Sequence, residues 1–201
     1  MRTVYFFLLA ALLAGCAAKQ PQMTRDEYLQ VTQRIYENKT PDDVYAAAEE
    51  LFRLADGEDF RFFHAEDSMT ANRPWLVYLV LAASAGSDTW QIRARPVNGG
   101  VKAIASLNTQ MGSILPIPTT GGDMTAGGMP SMAGNVPGTA IYDVFWARMD
   151  YLLGKNDKWM TCEEANSRVK AAITWGPNEA LCNSFNMKDA APDEMVAGTA
   201  K

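Results

Sequence analysis

The chain is poor in the residues on which most active sites depend. It has one histidine in 201 residues, His64, and three cysteines. Nucleophilic catalysis needs a base within hydrogen-bond reach of the nucleophile, and the usual base is scarce here. The G-x-S-x-G, H-E-x-x-H, P-loop and dinucleotide-binding patterns are absent, so no cofactor is called for and the expectation is a protein that is not an enzyme. Positive charge is also short, with 18 Lys+Arg against 23 Asp+Glu, a net charge of -5 and a pI near 4.9. Nucleic acid is excluded as a partner, because its binders need a basic surface to displace counterions. Long hydrophobic runs are lacking too. The main one, Val4 to Leu13, is about ten residues, half the length of a membrane-spanning helix.

That run follows Met1-Arg2-Thr3 and ends in Leu13-Ala14-Gly15-Cys16. A short cationic start, an apolar stretch and small residues have the layout of an export signal. The last four residues resemble the lipobox of bacterial lipoprotein precursors. The resemblance implies a signal peptide over 1–15, cleavage before Cys16 and acylation of Cys16, with palmitate-like chains as the membrane anchor. Ala17 and Ala18 stand where an aspartate retains familiar enteric lipoproteins at the inner membrane. The implied site is therefore the outer membrane, facing the periplasm. Residues 16–22 then form a lipidated tether, and 23–185 a single periplasmic domain. With Cys16 assigned to lipid, Cys162 and Cys182 remain, an even pair in an oxidising compartment and so a disulfide.

The domain opens with a capping box, Thr24-Arg25-Asp26-Glu27, and Tyr28, Leu29, Thr32, Ile35 and Tyr36 share one face of a helix expected to end at Asn38-Lys39. Thr40-Pro41-Asp42-Asp43 starts a second helix with a stripe of Val44, Ala47, Ala48, Leu51 and Leu54, stopped by Gly57. The period then becomes strand-like. Strands are expected at Phe60–His64, Met69–Ala83, Thr89–Val97 and Val101–Leu107, divided by Glu66-Asp67-Ser68, Ala85-Gly86-Ser87-Asp88 and Asn98-Gly99-Gly100. Trp90, Ile92 and Ala94 should face the core, and Gln91, Arg93 and Arg95 the solvent. From 111 to 138 the pattern gives way to glycine, four prolines and four methionines, a flexible insertion within the domain. A strong helix follows from Ile141 to Leu153, ended by Gly154, then a shorter one capped by Thr161, and a turn-like segment carrying Cys182. Residues 186–201 read as a disordered tail.

The fold class is thus α+β, a four-stranded antiparallel meander packed against helices. The element order from Thr40 to Gly154 resembles helix-grip folds of some periplasmic lipoproteins. The function this supports is a protein-binding or structural component of the envelope, anchored through Cys16, with an envelope protein or peptide as partner. The alternative is a periplasmic carrier of a small ligand or of Cu(I), the latter through the soft thioethers of Met111, Met124, Met129 and Met132. A hydrolase using His64 with Asp67 or Ser68 is the third reading. Arg61, Arg73, Arg93, Arg95 and Lys102 form a candidate anion-binding group, against the plainer reading of a solvated sheet face. Trp90 and Trp146 fit the core, while Trp159 and Trp175 bracket the disulfide segment as a contact surface or as packing against the bridge.

Overall fold

The structure is a computed structural model that describes residues 21–56, 59–79, 82–118, 124–128, 132–182, 189, 191 and 192. The signal, Cys16, nearly all of the tail, Gly57 and Met129 lie outside these residues.

The chain begins with α1 (Arg25–Thr32), whose capping box is complete. The Glu27 backbone N–H donates to Thr24 Oγ1, and the Thr24 N–H donates to Glu27 Oε2 at 2.7 Å. The helix stops at Thr32, four residues short of the expected face. Gln33–Glu37 is instead a strand, β1, with Tyr36 buried and Ile35 exposed. Helical and strand periods both accommodate that pair, and pairing with a distant strand decides between them. The end of α1 is fixed by Trp146, whose Nε1 donates to the Val31 carbonyl at 2.7 Å. After Asn38 and Lys39, α2 (Pro41–Asp56) runs as expected, with Val44, Ala47, Ala48, Leu51, Phe52 and Ala55 buried. Its start carries a second box, in which Asp43 Oδ2 accepts from the Thr40 N–H at 2.7 Å.

Four consecutive strands follow, β2 (Arg61–Ala65), β3 (Ser68–Leu79), β4 (Ala82–Val97) and β5 (Gly100–Pro118). Asn98-Gly99 turns β4 into β5 as expected, with Gly99 at φ +79°. The turn expected at Ala85–Asp88 is not there, because those residues lie inside β4, paired with Leu76 to Arg73 of β3. Nor is 111–138 without pattern. β5 runs through to Pro118, and β6 (Met124–Gly128) and β7 (Met132–Asn135) return to pair with it. Among the described residues the sheet therefore has seven strands rather than four, all antiparallel, in the order β1-β5-β4-β3-β2 with β6 and β7 also on β5. One edge of β5 carries β4. The other carries β1 at Gly100–Ile104, β7 at Asn108–Met111 and β6 at Ile114–Pro118, end to end. In the gap between β1 and β7 the Leu107 N–H donates to the Tyr142 hydroxyl at 3.3 Å, and the Val136 N–H donates to the Leu107 carbonyl at 3.2 Å.

Two further helices, α3 (Ala140–Leu152) and α4 (Cys162–Lys170), complete the α+β domain. Trp90, Ile92 and Ala94 are buried and Arg93 and Arg95 exposed, as their alternation demands. Trp90 stacks on Phe145 of α3 at 4.9 Å between centroids and lies 5.5 Å from Phe52 of α2, so one indole joins the sheet to both long helices. Cys162 and Cys182 form a disulfide with Cα atoms 5.4 Å apart. Beneath it lies Arg148, almost wholly buried, donating to Asp189 Oδ1 at 2.7 Å and to the Met160 carbonyl at 3.0 Å, with Trp159 over its guanidinium. Burial pushes the pKa of Arg148 down, opposed by Asp189. Trp159 is buried over Arg148 rather than presenting an open surface.

The two capping boxes have a pH signature. Backbone and hydroxyl hydrogen bonds from Thr24 and Thr40 hold the Glu27 and Asp43 carboxyls below their ordinary values of 4.5 and 3.8. A carboxyl depressed in the folded state adds stability above its unfolded pKa, and that contribution is lost as pH falls through the folded value. Thermal unfolding followed by circular dichroism should show a melting temperature that falls below about pH 4.5. In Thr24→Ala/Thr40→Ala the melting temperature should be a few degrees lower at pH 7, and the gap from the parent should narrow by pH 3.

Candidate functional site

The helices cover only one part of the sheet's inner face. Under them lie Met69, Ala71, Trp90, Ile92, Ala103, Ala105 and Leu107, all with no exposed surface. The next inward positions are polar. Arg73 of β3 is directly opposite Asp88 of β4, and its Nη2 donates to Asp88 Oδ2 at 2.7 Å. Nη1 donates to Asp56 at the end of α2, and Thr109 Oγ1 donates to Asp88 Oδ1 at 2.7 Å. Arg73 and Asp88 are 5% and 4% exposed, which makes this a buried ion cluster rather than a surface pair. The Arg73 Nε–H has no partner among the described residues, and the guanidinium lies 5.5 Å from the Phe60 ring centroid.

Past the cluster the strands continue with no long helix beneath them among the described residues. Trp75, Val77 and Met111 face a groove of about 780 Å³, closed at its inner end by Leu107 and Ile141 and on one side by Val136 and Pro137. Arg73 and Asp88 supply its polar end. Gly86 is required here. A Cβ on it would fall 2.4 Å from the Trp75 ring and 2.2 Å from the Gln110 carbonyl oxygen, so the residue that looks like a turn signal is where the indole lies on the sheet. On the opposite face Leu76 and Tyr78 are exposed, Tyr78 by 79%. Between Arg73 and Asp88 the sequence has no charged residue, and between Lys102 and Asp143 its one charge is Asp123. The described part of this ribbon combines apolar exposure on both faces with an absence of charge. The uncharged apolar run at Trp75–Tyr78 is legible in the sequence, but the missing helical cover is not.

The other candidates are dispersed. The five cations do not form one group. Arg61, Arg93, Arg95 and Lys102 lie on the outer face, with Arg95 directly opposite Lys102, whereas Arg73 points inward to its carboxylates. That outer face carries no helix, in keeping with a solvated sheet surface. His64 is exposed, and its Nε2 is 3.3 Å from Glu49 Oε2 of α2, a partner fifteen residues away in sequence rather than Asp67 or Ser68. Glu49 is held below its ordinary pKa, chiefly by a hydrogen bond from Arg53. Register places Met111 opposite Met132, but Met124 opposite Pro118, seven residues further along β5 or about 23 Å. Met124 and Met132 therefore cannot share one metal ion. Among the described residues no group of three or more His, Cys, Asp or Glu side chains is arranged to hold a metal.

Comparison of the chain with protein-family models, with curated proteins and with solved structures finds no match. The likeness of element order to helix-grip lipoproteins thus has no counterpart in those comparisons, and the argument for function rests on the residues themselves.

The buried cluster predicts an asymmetric response to mutation. Removing Arg73 alone as Arg73→Met leaves Asp88 buried and unpaired, and should cost about 3–5 kcal/mol in urea unfolding. Arg73→Met/Asp88→Leu removes both charges and should recover most of that loss. A single-variant cost below about 1 kcal/mol would mean that water reaches the carboxylates.

Proposed function

We propose that this chain is an envelope lipoprotein, held at the outer membrane by acyl groups on Cys16, that acts as a protein-binding or structural component through the uncovered end of its sheet. The observation that carries the reading is the ribbon itself. Trp75, Val77, Leu76, Tyr78 and Met111 expose apolar surface on both faces beyond the last charged pair. Contiguous apolar surface of that kind marks an interaction site on a soluble domain.

The first described residues lie beside the base of the ribbon. Pro21 to Arg25 pack near Asn135, Val136 and Pro137, and the last two also line the groove. Cys16 precedes Pro21 by five residues, a reach of at most about 18 Å. An acylated Cys16 would therefore keep the groove and the base of the ribbon close to the membrane surface. Three acyl chains hold such a protein stably, since each buried methylene contributes about 0.8 kcal/mol.

A second reading is a carrier of a small apolar ligand, favoured by the size of the groove and by its mostly apolar lining, with Arg73, Asp88 and Glu179 as the charged groups among the described residues. The Cu(I) version is weaker, because register leaves Met111 and Met132 as the one cross-strand pair among the described methionines.

The lipoprotein reading is tested by Cys16→Ser, which should abolish acyl labelling and lower recovery in the outer-membrane fraction at least tenfold. The interaction reading is tested by a photo-crosslinking residue at Tyr78, compared with one at Ile173, which is exposed outside the ribbon. A discrete protein adduct from position 78 alone is expected. A small molecule co-purifying with the domain, with no adduct at 78, would favour the carrier.

A further inference from the structure

The ribbon is open at both of its edges. β2 pairs with β3 only as far as Asn72, so Arg73 to Leu79 have no strand on that side among the described residues. At the other edge β6 pairs with β5 and with no further strand among those residues. Soluble proteins guard such edges with lysine, other charges, bulges or short strands. Here the edge of β3 from Pro74 to Leu79 carries no charge, and neither does β6. Pro74 is the one guard, and it sits at the base of the ribbon.

Strand direction limits what can close these edges. β3, β4, β5 and β6 alternate in direction, so β3 and β6 are antiparallel to one another. If two copies stand side by side in the same orientation, β6 of one meets β3 of the next as an antiparallel neighbour, the pairing already used throughout the sheet. Two-fold pairing of β3 with β3, or of β6 with β6, is antiparallel too, but it points the two domains in opposite directions. Copies that stand on one membrane with their ribbons running alike are joined by the β6-to-β3 contact, which keeps that common orientation. That contact is heterologous, uses a different edge on each copy, and repeats until a ring closes.

We propose that the partner of the ribbon is a second copy of this chain, β6 of one copy pairing with β3 of the next in a closed assembly. The inference rests on the anchored envelope reading above, which supplies the common orientation. Each contact turns unpaired backbone donors and acceptors into ladder hydrogen bonds. It also brings the apolar strands of neighbouring ribbons together, as β3, β4 and β5 already are within one copy.

The test uses the full lipidated chain in cells, co-expressed as two differently tagged copies. One copy carries Val77→Cys and the other Thr125→Cys, with Leu76, Tyr78, Ala126 and Gly127 as alternative positions to cover register. Mild oxidation should join the two tags, neither substitution should crosslink with itself, and Val77→Cys/Thr125→Cys in one chain should give a ladder beyond the dimer. Detergent-extracted parent protein should be multimeric by light scattering. Leu76→Pro, which blocks the β3 edge, should make it monomeric with little change in melting temperature. Crosslinking of Val77→Cys with itself, no crosslink at any position pair, or a monomeric parent each overturns the assembly. A photo-adduct from Tyr78 to a different protein, with no ladder, overturns self-assembly while the interaction reading stands. Loss of acyl labelling at Cys16 in the parent instead removes the anchor on which the shared orientation depends.

Discussion

A strand advances about 3.3 Å per residue and a helix about 1.5 Å, and the organisation of this protein follows from that difference. The helices α2 and α3 have 16 and 13 residues, lengths of about 24 and 20 Å. β4 and β5 have 16 and 19 residues, about 53 and 63 Å. Helices so short cannot cover strands so long. Cover is concentrated where Trp90 meets Phe145 and Phe52, and there the inner face is fully buried. Seven residues further along β5 from Leu107 the backbone ladder continues with β6.

The Arg73 cluster lies where covered sheet gives way to uncovered sheet. A buried carboxylate and a buried guanidinium, with Asp56 half-buried beside them, are expensive to desolvate, and a row of apolar side chains there would be no less stable. What the cluster adds is register. Arg73 and Asp88 are directly opposed across β3 and β4, and a slip of one residue would send each to the other face of the sheet, away from Asp56 and Thr109. The strands beyond are rich in alanine, glycine and serine on β4 and in glycine on β6, and such residues specify register weakly. An ion cluster at the last well-packed position gives the ribbon a defined starting point.

Local signals were legible where local chemistry decides the outcome. The capping residues Thr24, Thr40 and Thr161, the turn at Asn98-Gly99, the helix stop at Gly154 and the alternation of Trp90, Ile92 and Ala94 each act over a few residues, and each occurs where the sequence puts it. The misreadings share another cause. Ile35 and Tyr36 became a strand because β5 offers them an edge at Lys102 and Val101, far along the chain. Gly86 became a strand residue because Trp75 needs the space. The glycine- and methionine-rich stretch became strands because β5 outruns β1 and leaves backbone groups that β7 and β6 satisfy. His64 meets Glu49 only through the packing of β2 on α2. Long-range pairing decided all four, and no window of a few residues contains it.

The edges of the sheet show the same division. Along β5 the outer edge is closed from Gly100 to Pro118 by β1, by Val136 and the Tyr142 hydroxyl, by β7 and by β6, with a side chain from a helix used where no strand fits. Open backbone among the described strands is thereby moved to the periphery, to β2 and β1 at the folded end and to β3 and β6 in the ribbon. At the folded end the edge strands carry charge, Arg61 on β2 and Arg34 and Glu37 on β1, which discourages pairing. In the ribbon the edges bear no charge at all. A chain that guards one end of its sheet and leaves the other uncharged and, among the described residues, uncovered has concentrated the means of association at a single place.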